Sequence, residues 1–173
     1  CIGKGKITSA EEELFGLRLC NKVIKLLGVY IGTSQELCDK LNWRYKIDKI
    51  KRLLNMWLQR RLTIHGRALV IKSLMMSRLW YVLAVQSIPE WAIKEIKHAC
   101  MNFLWNNGAH LVSYSNILSD NLQGGLQIPD IKFKLFAFRL KFLKRFLEKD
   151  GNALWFDTCD YFLKHICNFN VSR

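Results

Sequence analysis

From Trp57 to Pro89 the chain reads WLQRRLTIHGRALVIKSLMMSRLWYVLAVQSIP. One glycine, Gly66, lies inside this stretch, and no proline occurs before Pro89. Between Thr63 and about Gln86, apolar residues cover most of a helical circumference. A helix of that kind has to be enclosed by protein. Thr63 suits the N-cap, because its hydroxyl can accept from an orphan amide of the first turn. The stretch therefore commits the chain to a mainly α fold around one central helix. It is also basic: Arg60 and Arg61 open it, Arg67, Lys72 and Arg78 follow, and no carboxylate occurs from Leu62 to Pro89.

Helical spacing extends to both sides. Upstream, from Ser34 to about Arg60, Leu41, Tyr45, Ile47, Ile50, Leu54 and Trp57 recur at mixed three- and four-residue steps. Arg44, Lys46, Lys49, Lys51 and Arg52 decorate the other side. Downstream, Pro89 starts a helix that Asn106-Asn107-Gly108 stops, with Trp91, Ile93, Ile96, Cys100, Phe103 and Leu104 at helical spacing. Turn signals follow at Gly124-Gly125 and Ile128-Pro129-Asp130. A fourth helix is expected from Ile131 to Glu148, with Phe133, Phe136, Leu140, Leu143 and Leu147 as its apolar face, and a last one over 153–167. Residues 1–35 differ. Ser9 and the following Glu11, Glu12 and Glu13 suggest a short capped turn or helix. Lys22 to Gly32 is β-branched and bounded by glycine, and reads as one strand or a strand with part of a hairpin. A strand without a visible partner suggests a sheet cut off from its neighbours.

At 173 residues, half of them hydrophobic, the chain can bury a core. Its net charge of +13 favours polyanions, nucleic acid before an anionic membrane surface. No uninterrupted apolar run reaches a membrane span, since Lys72 and Arg78 break the longest candidate. The chain begins with Cys1, as an internal or C-terminal piece of a longer reading frame would. Its six cysteines show no C-x-x-C spacing, so a zinc knuckle is not expected. Without a signal peptide they read as small buried hydrophobes in a reducing intracellular compartment.

Two-metal polymerases and nucleases need clustered carboxylates to hold Mg²⁺. The sequence has no adjacent Asp pair, and Asp157 with Asp160 reads as a solvated helix face. No P-loop, dinucleotide glycine pattern, G-x-S-x-G or H-E-x-x-H occurs. His65, His98, His110 and His165 have no partner at triad spacing. No catalytic residue, metal site or cofactor is therefore assigned. The candidate nucleic-acid-binding residues are Arg60, Arg61, His65, Gly66, Arg67, Lys72 and Arg78. Such cations neutralise phosphates and release counterions without reading bases. Gly66 permits close approach either of a sugar-phosphate chain or of a neighbouring helix. Trp80, Tyr81, Trp91 and Trp105 read as core, and Trp57 as a possible stacking surface.

Four ordered blocks resemble the region downstream of the catalytic palm in LINE-type (non-LTR) retrotransposon reverse transcriptases. Lys25-Leu-Leu-Gly-Val-Tyr-Ile-Gly32 is similar to the strand K-Y-L-G-[IV]-x-[IL], with Leu26 in the tyrosine's place. Trp57 to Lys72 is similar to the thumb pattern W-x-x-R-x-L-[ST]-x-x-G-R-x-x-x-[IV]-K, continued by Tyr81 and Ile88-Pro89. Phe103-Leu-Trp-Asn106 resembles F-[IL]-W-N, and Gly124-Gly-Leu-Gln-Ile-Pro-Asp130 resembles G-G-[LI]-x-[LIV]-P-[DN]. The palm's Asp pair and the endonuclease have no counterpart here.

The resemblance implies a palm remnant at 1–35, a helical thumb-like domain at 36–108 and a helical connector at 109–173. It implies sequence-independent grip of an RNA–DNA primer–template, with catalysis in the palm and fingers of the parent polypeptide. An intracellular ribonucleoprotein, nuclear or cytoplasmic, is the implied setting. Two other classes fit the composition. One is a helical protein–protein interaction module with a basic surface. The other is a peripheral membrane binder acting through the 131–147 helix.

Overall fold

The computed structural model describes residues 23–148 and 153–165. The Ser9–Glu13 turn, Cys1, Cys20 and Cys167 lie outside the described residues. The fold is mainly α, with one small sheet.

Of the two readings of 22–32, the hairpin is the one that forms, so the strand is not without a partner. Strands β1 (Val23–Leu26) and β2 (Val29–Gly32) pair antiparallel, Val23 opposite Gly32 and Leu26 opposite Val29. Leu27 and Gly28 close the hairpin, both with positive φ, 47° and 83°. That geometry matches the right-handed twist of paired strands. A leucine in the first left-handed position hid the turn from composition, since Asn or Gly is the usual signal.

Helix α1 covers 35–58, capped by the Ser34 side chain accepting from Leu37 N–H. Its segment Lys40–Arg44 is π-helical. The wider turn lets Cys38 and Trp43, five residues apart, both reach the interior. Ile47, Ile50 and Leu54 continue that face, whereas Leu41 and Tyr45 are exposed. At ~100° per residue, the two-residue step from Tyr45 to Ile47 crosses to the opposite side of a helix. The expected face therefore merged two sides.

Helix α2 is Ile64–Val85, 22 residues, with a π segment at Ile71–Met76. By length and composition alone it is long and apolar enough to cross a membrane, although Lys72 and Arg78 interrupt its apolar run. Here its Ile71, Met75, Met76, Leu79, Val82 and Leu83 are core side chains. Helix α3 (Glu90–Leu104) packs on α1 and on the start of α2. It adds Ile96, Cys100 and Phe103 to the core. The Cys100 thiol donates to Met75 Sδ at 3.6 Å, and burial pushes its pKa up to about 12. Cys38, Cys100 and Cys159 are free thiols among the described residues.

Short helix α4 (Tyr114–Leu118) and a 3₁₀ turn (Asn121–Gln123) complete the first compact unit, which ends at Ile128. Packing places no break at 35/36, because the hairpin rests on α1, nor at 108/109, which lies inside this unit. The second unit holds α5 (Ile131–Glu148) and α6 (Trp155–His165). Trp155 lies 4.7 Å from the Phe142 ring and 6.2 Å from the Phe146 ring. The expected apolar face of α5 is exposed throughout, from Phe133 at 76% to Leu143 at 47%, while Ile131 and Phe146 are buried. Ile131, Phe142 and Phe146 lie on the other side of α5, so this helix carries two apolar stripes and the periodicity singled out the uncovered one.

Candidate nucleic-acid interface

The turn between α1 and α2 is tight: Arg60 N–H donates to Trp57 O at 3.1 Å and Leu62 N–H to Arg60 O at 2.7 Å. The Arg60 guanidinium stacks 4.4 Å from the centre of the half-buried Trp57 ring, which orients its charge. Arg61 beside it is exposed. Thr63 caps α2 as expected, its Oγ1 accepting from Gly66 N–H at 3.2 Å. His65 is exposed in the first turn. A Cβ at Gly66 would meet only Leu62 and Thr63, at 3.5 Å or more, which is ordinary contact. Helix packing therefore does not require glycine here.

Arg67 points elsewhere. Its Nη1 donates to Leu104 O at 3.1 Å and its Nη2 to Asn106 Oδ1 at 3.2 Å. It thus holds the last turn of α3, where carbonyls lack helical partners. Nε is buried without a hydrogen-bond partner. Lys72 is half-buried in the π segment and Arg78 is exposed beyond it, roughly 16 Å from Arg67 along the axis at ~1.5 Å per residue. The structure thus gathers Arg60, Arg61, His65 and Gly66 at one entrance. It ties Arg67 into the fold and leaves Lys72 and Arg78 further along α2.

Three of the sequence blocks converge here. A cleft of about 360 Å³ is lined by His65, Trp105, Ile117, Gly124, Gly125 and Leu126 among others. Gly124 has φ +78°, and a Cβ on Gly125 would lie 1.9 Å from Ser119 O. Glycine at 125 is thus a steric requirement of the loop. Leu126 N–H donates to Ile117 O at 3.0 Å, which fixes the loop against α4.

A second basic surface escaped sequence reasoning. Lys25 from the hairpin joins Tyr30, Tyr45 and Lys46 around an open cleft of about 450 Å³. Lys49 Nζ sits 4.5 Å from the Tyr45 ring centre and Lys25 Nζ 5.5 Å from that of Tyr30. A hydrogen bond from Lys49, then its charge, pulls the Tyr45 phenol below its ordinary pKa, with Arg52 and Lys25 adding. Burial, then Lys49, pushes Lys46 down. These are marks of concentrated positive potential. The charges on α1 were legible, but the hairpin lysine reaches them only through the tertiary fold.

That hairpin is held from two sides. Buried Asn42 accepts from Tyr30 N–H at 2.8 Å and donates to Tyr30 O at 2.7 Å. Tyr81 of α2 donates its hydroxyl to Leu27 O. Among the described residues no group of His, Cys, Asp or Glu could hold a metal ion.

Basic and aromatic residues thus lie side by side at the helix entrance and at the hairpin of this mainly α unit. No protein-family model matches the chain. Over 155 residues, 88% of its length, the chain is 30% identical to the "Transposon TX1 uncharacterized 149 kDa protein" of Xenopus laevis. It spans 12% of that protein's length.

Proposed function

We propose that this chain is part of a retrotransposon-encoded reverse transcriptase. It corresponds to the thumb and connector, grips an RNA–DNA primer–template without reading sequence, and performs no catalysis itself. The observation that carries the proposal is the similarity to a transposon protein along 88% of the chain. The four ordered blocks supply the thumb assignment. Arg60 and Arg61 at the start of α2, with Arg78 further along, are the phosphate contacts. The Lys25, Lys46 and Lys49 surface is a second place for the same backbone. Arg67 supports the site by fixing the end of α3. In the parent polypeptide, the palm and fingers are the partners of this chain.

Titrating the 173-residue chain with an RNA–DNA hybrid across a salt series tests this. Each neutralised phosphate contributes about 0.9 to the slope of log affinity against log salt. Replacing Arg60, Arg61 and Arg78 by Ala is expected to lower that slope by roughly 2–3 and to weaken unrelated sequences alike. Replacing Lys40, Lys94 and Lys164 should change it less. Equal effects of both triple variants would show diffuse charge attraction and remove the thumb assignment.

A further inference from the structure

The 360 Å³ cleft at the start of α2 has a neutral lining, although the basic entrance adjoins it. All of its lining residues belong to the first compact unit. Ile117 and Leu126 give it buried apolar surface. Trp105 is half-buried, and its indole N–H is buried without a hydrogen-bond partner. Whatever part of the indole reaches the cleft is therefore ring carbon. Exposed His65, Asn116 and Asn121 supply donors and acceptors at the same cleft. Asn121 donates one N–H to Gln127 Oε1 at a long 3.4 Å. No lysine, arginine or carboxylate lines it.

That lining restricts the occupant. A phosphate would lose its water without gaining a cation, and an aliphatic side chain would leave the amides unpaired. A flat ring with apolar faces and a polar edge satisfies both parts, and a nucleobase is such a ring. Its position points the same way. Ile64 and His65 of the lining lie in the first turn of α2, and Arg61 precedes Ile64 by three residues. The Arg61 Cα therefore lies within about 11 Å of that of Ile64. A strand held through its phosphates at Arg60 and Arg61 passes the cleft within a few nucleotides. We propose that the cleft seats one unstacked nucleobase from a single-stranded segment adjoining the gripped duplex, an inference that rests on the nucleic-acid reading above. Trp105, Ile117 and Leu126 pack against the faces of the base, and Asn116, Asn121 and His65 meet its edge. An amide both donates and accepts, so each base finds a partner there and no fixed sequence is read.

The full 173-residue chain is titrated with four probes. The first is a single-stranded RNA of about ten nucleotides. The second is its abasic counterpart, which keeps every phosphate and lacks every base. The third is an RNA–DNA hybrid, and the fourth an uncharged peptide alternating Leu and Ser. The unmodified chain is expected to bind the RNA about fivefold or more tighter than the abasic strand. Trp105→Ala should bring that preference close to unity. Asn116→Leu, a change at an exposed position, should lower it without disturbing the fold. Both variants should keep the parent's affinity for the abasic strand and the hybrid, and its salt slope, because neither removes a cation. Equal binding of RNA and abasic strand by the unmodified chain would mean phosphate contacts alone. It would overturn the base cleft and leave the duplex grip standing. A base preference that survives both substitutions would place the base elsewhere and overturn the cleft as well. Peptide binding that Trp105→Ala abolishes, without a preference for bases, would make the cleft a protein-docking groove. Failure to bind any nucleic acid, the hybrid included, would remove the duplex grip and the base cleft together.

Discussion

Arg67 shows how one side chain serves fold and site together. Its fork reaches the carbonyl at the end of α3 and an asparagine oxygen just beyond it, a geometry the ammonium of lysine does not reproduce. Hydrogen bonds from charged donors contribute about 1.5–3 kcal/mol when buried, so for this half-buried pair a total loss of about 2 kcal/mol is expected on Arg67→Ala. Arg67→Lys should lose nearly as much, whereas Arg60→Ala and Arg61→Ala should melt within ~0.5 kcal/mol of the parent. Urea unfolding of the four variants checks this. Full stability of Arg67→Ala would show that the bonds to Leu104 and Asn106 contribute nothing. A neighbouring contrast is Gly66. Alanine fits there sterically and favours a helix by up to ~1 kcal/mol, so Gly66→Ala should be neutral or stabilising. Loss of hybrid binding in that stable variant would mark close backbone approach by nucleic acid. Gly125→Ala, by contrast, forces the loop away from Ser119 and should destabilise.

At the level of elements, charge links the helices visibly. Glu95 of α3 accepts from Arg44 at 2.8 Å and from Lys51 at 2.7 Å, both on α1. The Lys51 hydrogen bond, with the charges of Lys51 and Arg44, holds its carboxyl below the ordinary 4.5, against a smaller opposing effect of burial. A depressed native value means the stabilisation is complete above the ordinary value and disappears as pH falls through the native one. Glu95→Gln should therefore be about 1 kcal/mol less stable at pH 7, with the difference shrinking below pH ~4. Melting both proteins across pH would expose the error if the gap were constant. The elements joined here were largely legible from local chemistry: Thr63 as cap, Pro89 as start, Asn106-Asn107 as stop. Asn106 and Asn107 indeed take positive φ, 55° and 58°. Other features have no local signature. Leu27 in a left-handed turn, the widened turns of α1 and α2, and the Asn42 clamp on the hairpin are set by tertiary packing. Periodicity found both apolar sides of α1 and one stripe of α5, but it does not tell which side meets protein. Of the candidate site, the entrance cations were legible because charge runs are local. Arg67's inward turn and the Lys25–Lys49 surface depend on residues far apart in sequence.

Across the whole molecule, chemistry and charge are unevenly distributed. Positive charge is spread over α1, the α2 entrance and α5, while carboxylates are sparse and scattered. Some described carboxylates make ion pairs within one helix, as Glu36 with Lys40 and Asp160 with Lys164 do. Phosphoryl transfer by two metal ions needs carboxylates close enough to share them, and no such group occurs among the described residues. Among the described residues, then, no such group stands ready to hold metal ions beside an attacking hydroxyl. Given primer–template, Mg²⁺ and deoxynucleotides, the pure chain is expected to bind the hybrid and extend nothing. Adding a separately produced palm and fingers is the positive control: extension should then appear, and it should weaken with Arg60, Arg61 and Arg78 replaced by Ala. Extension that copurifies with the chain alone would remove the proposal that catalysis lies elsewhere in the polypeptide. Complemented extension indifferent to the three arginines would remove their role as the grip.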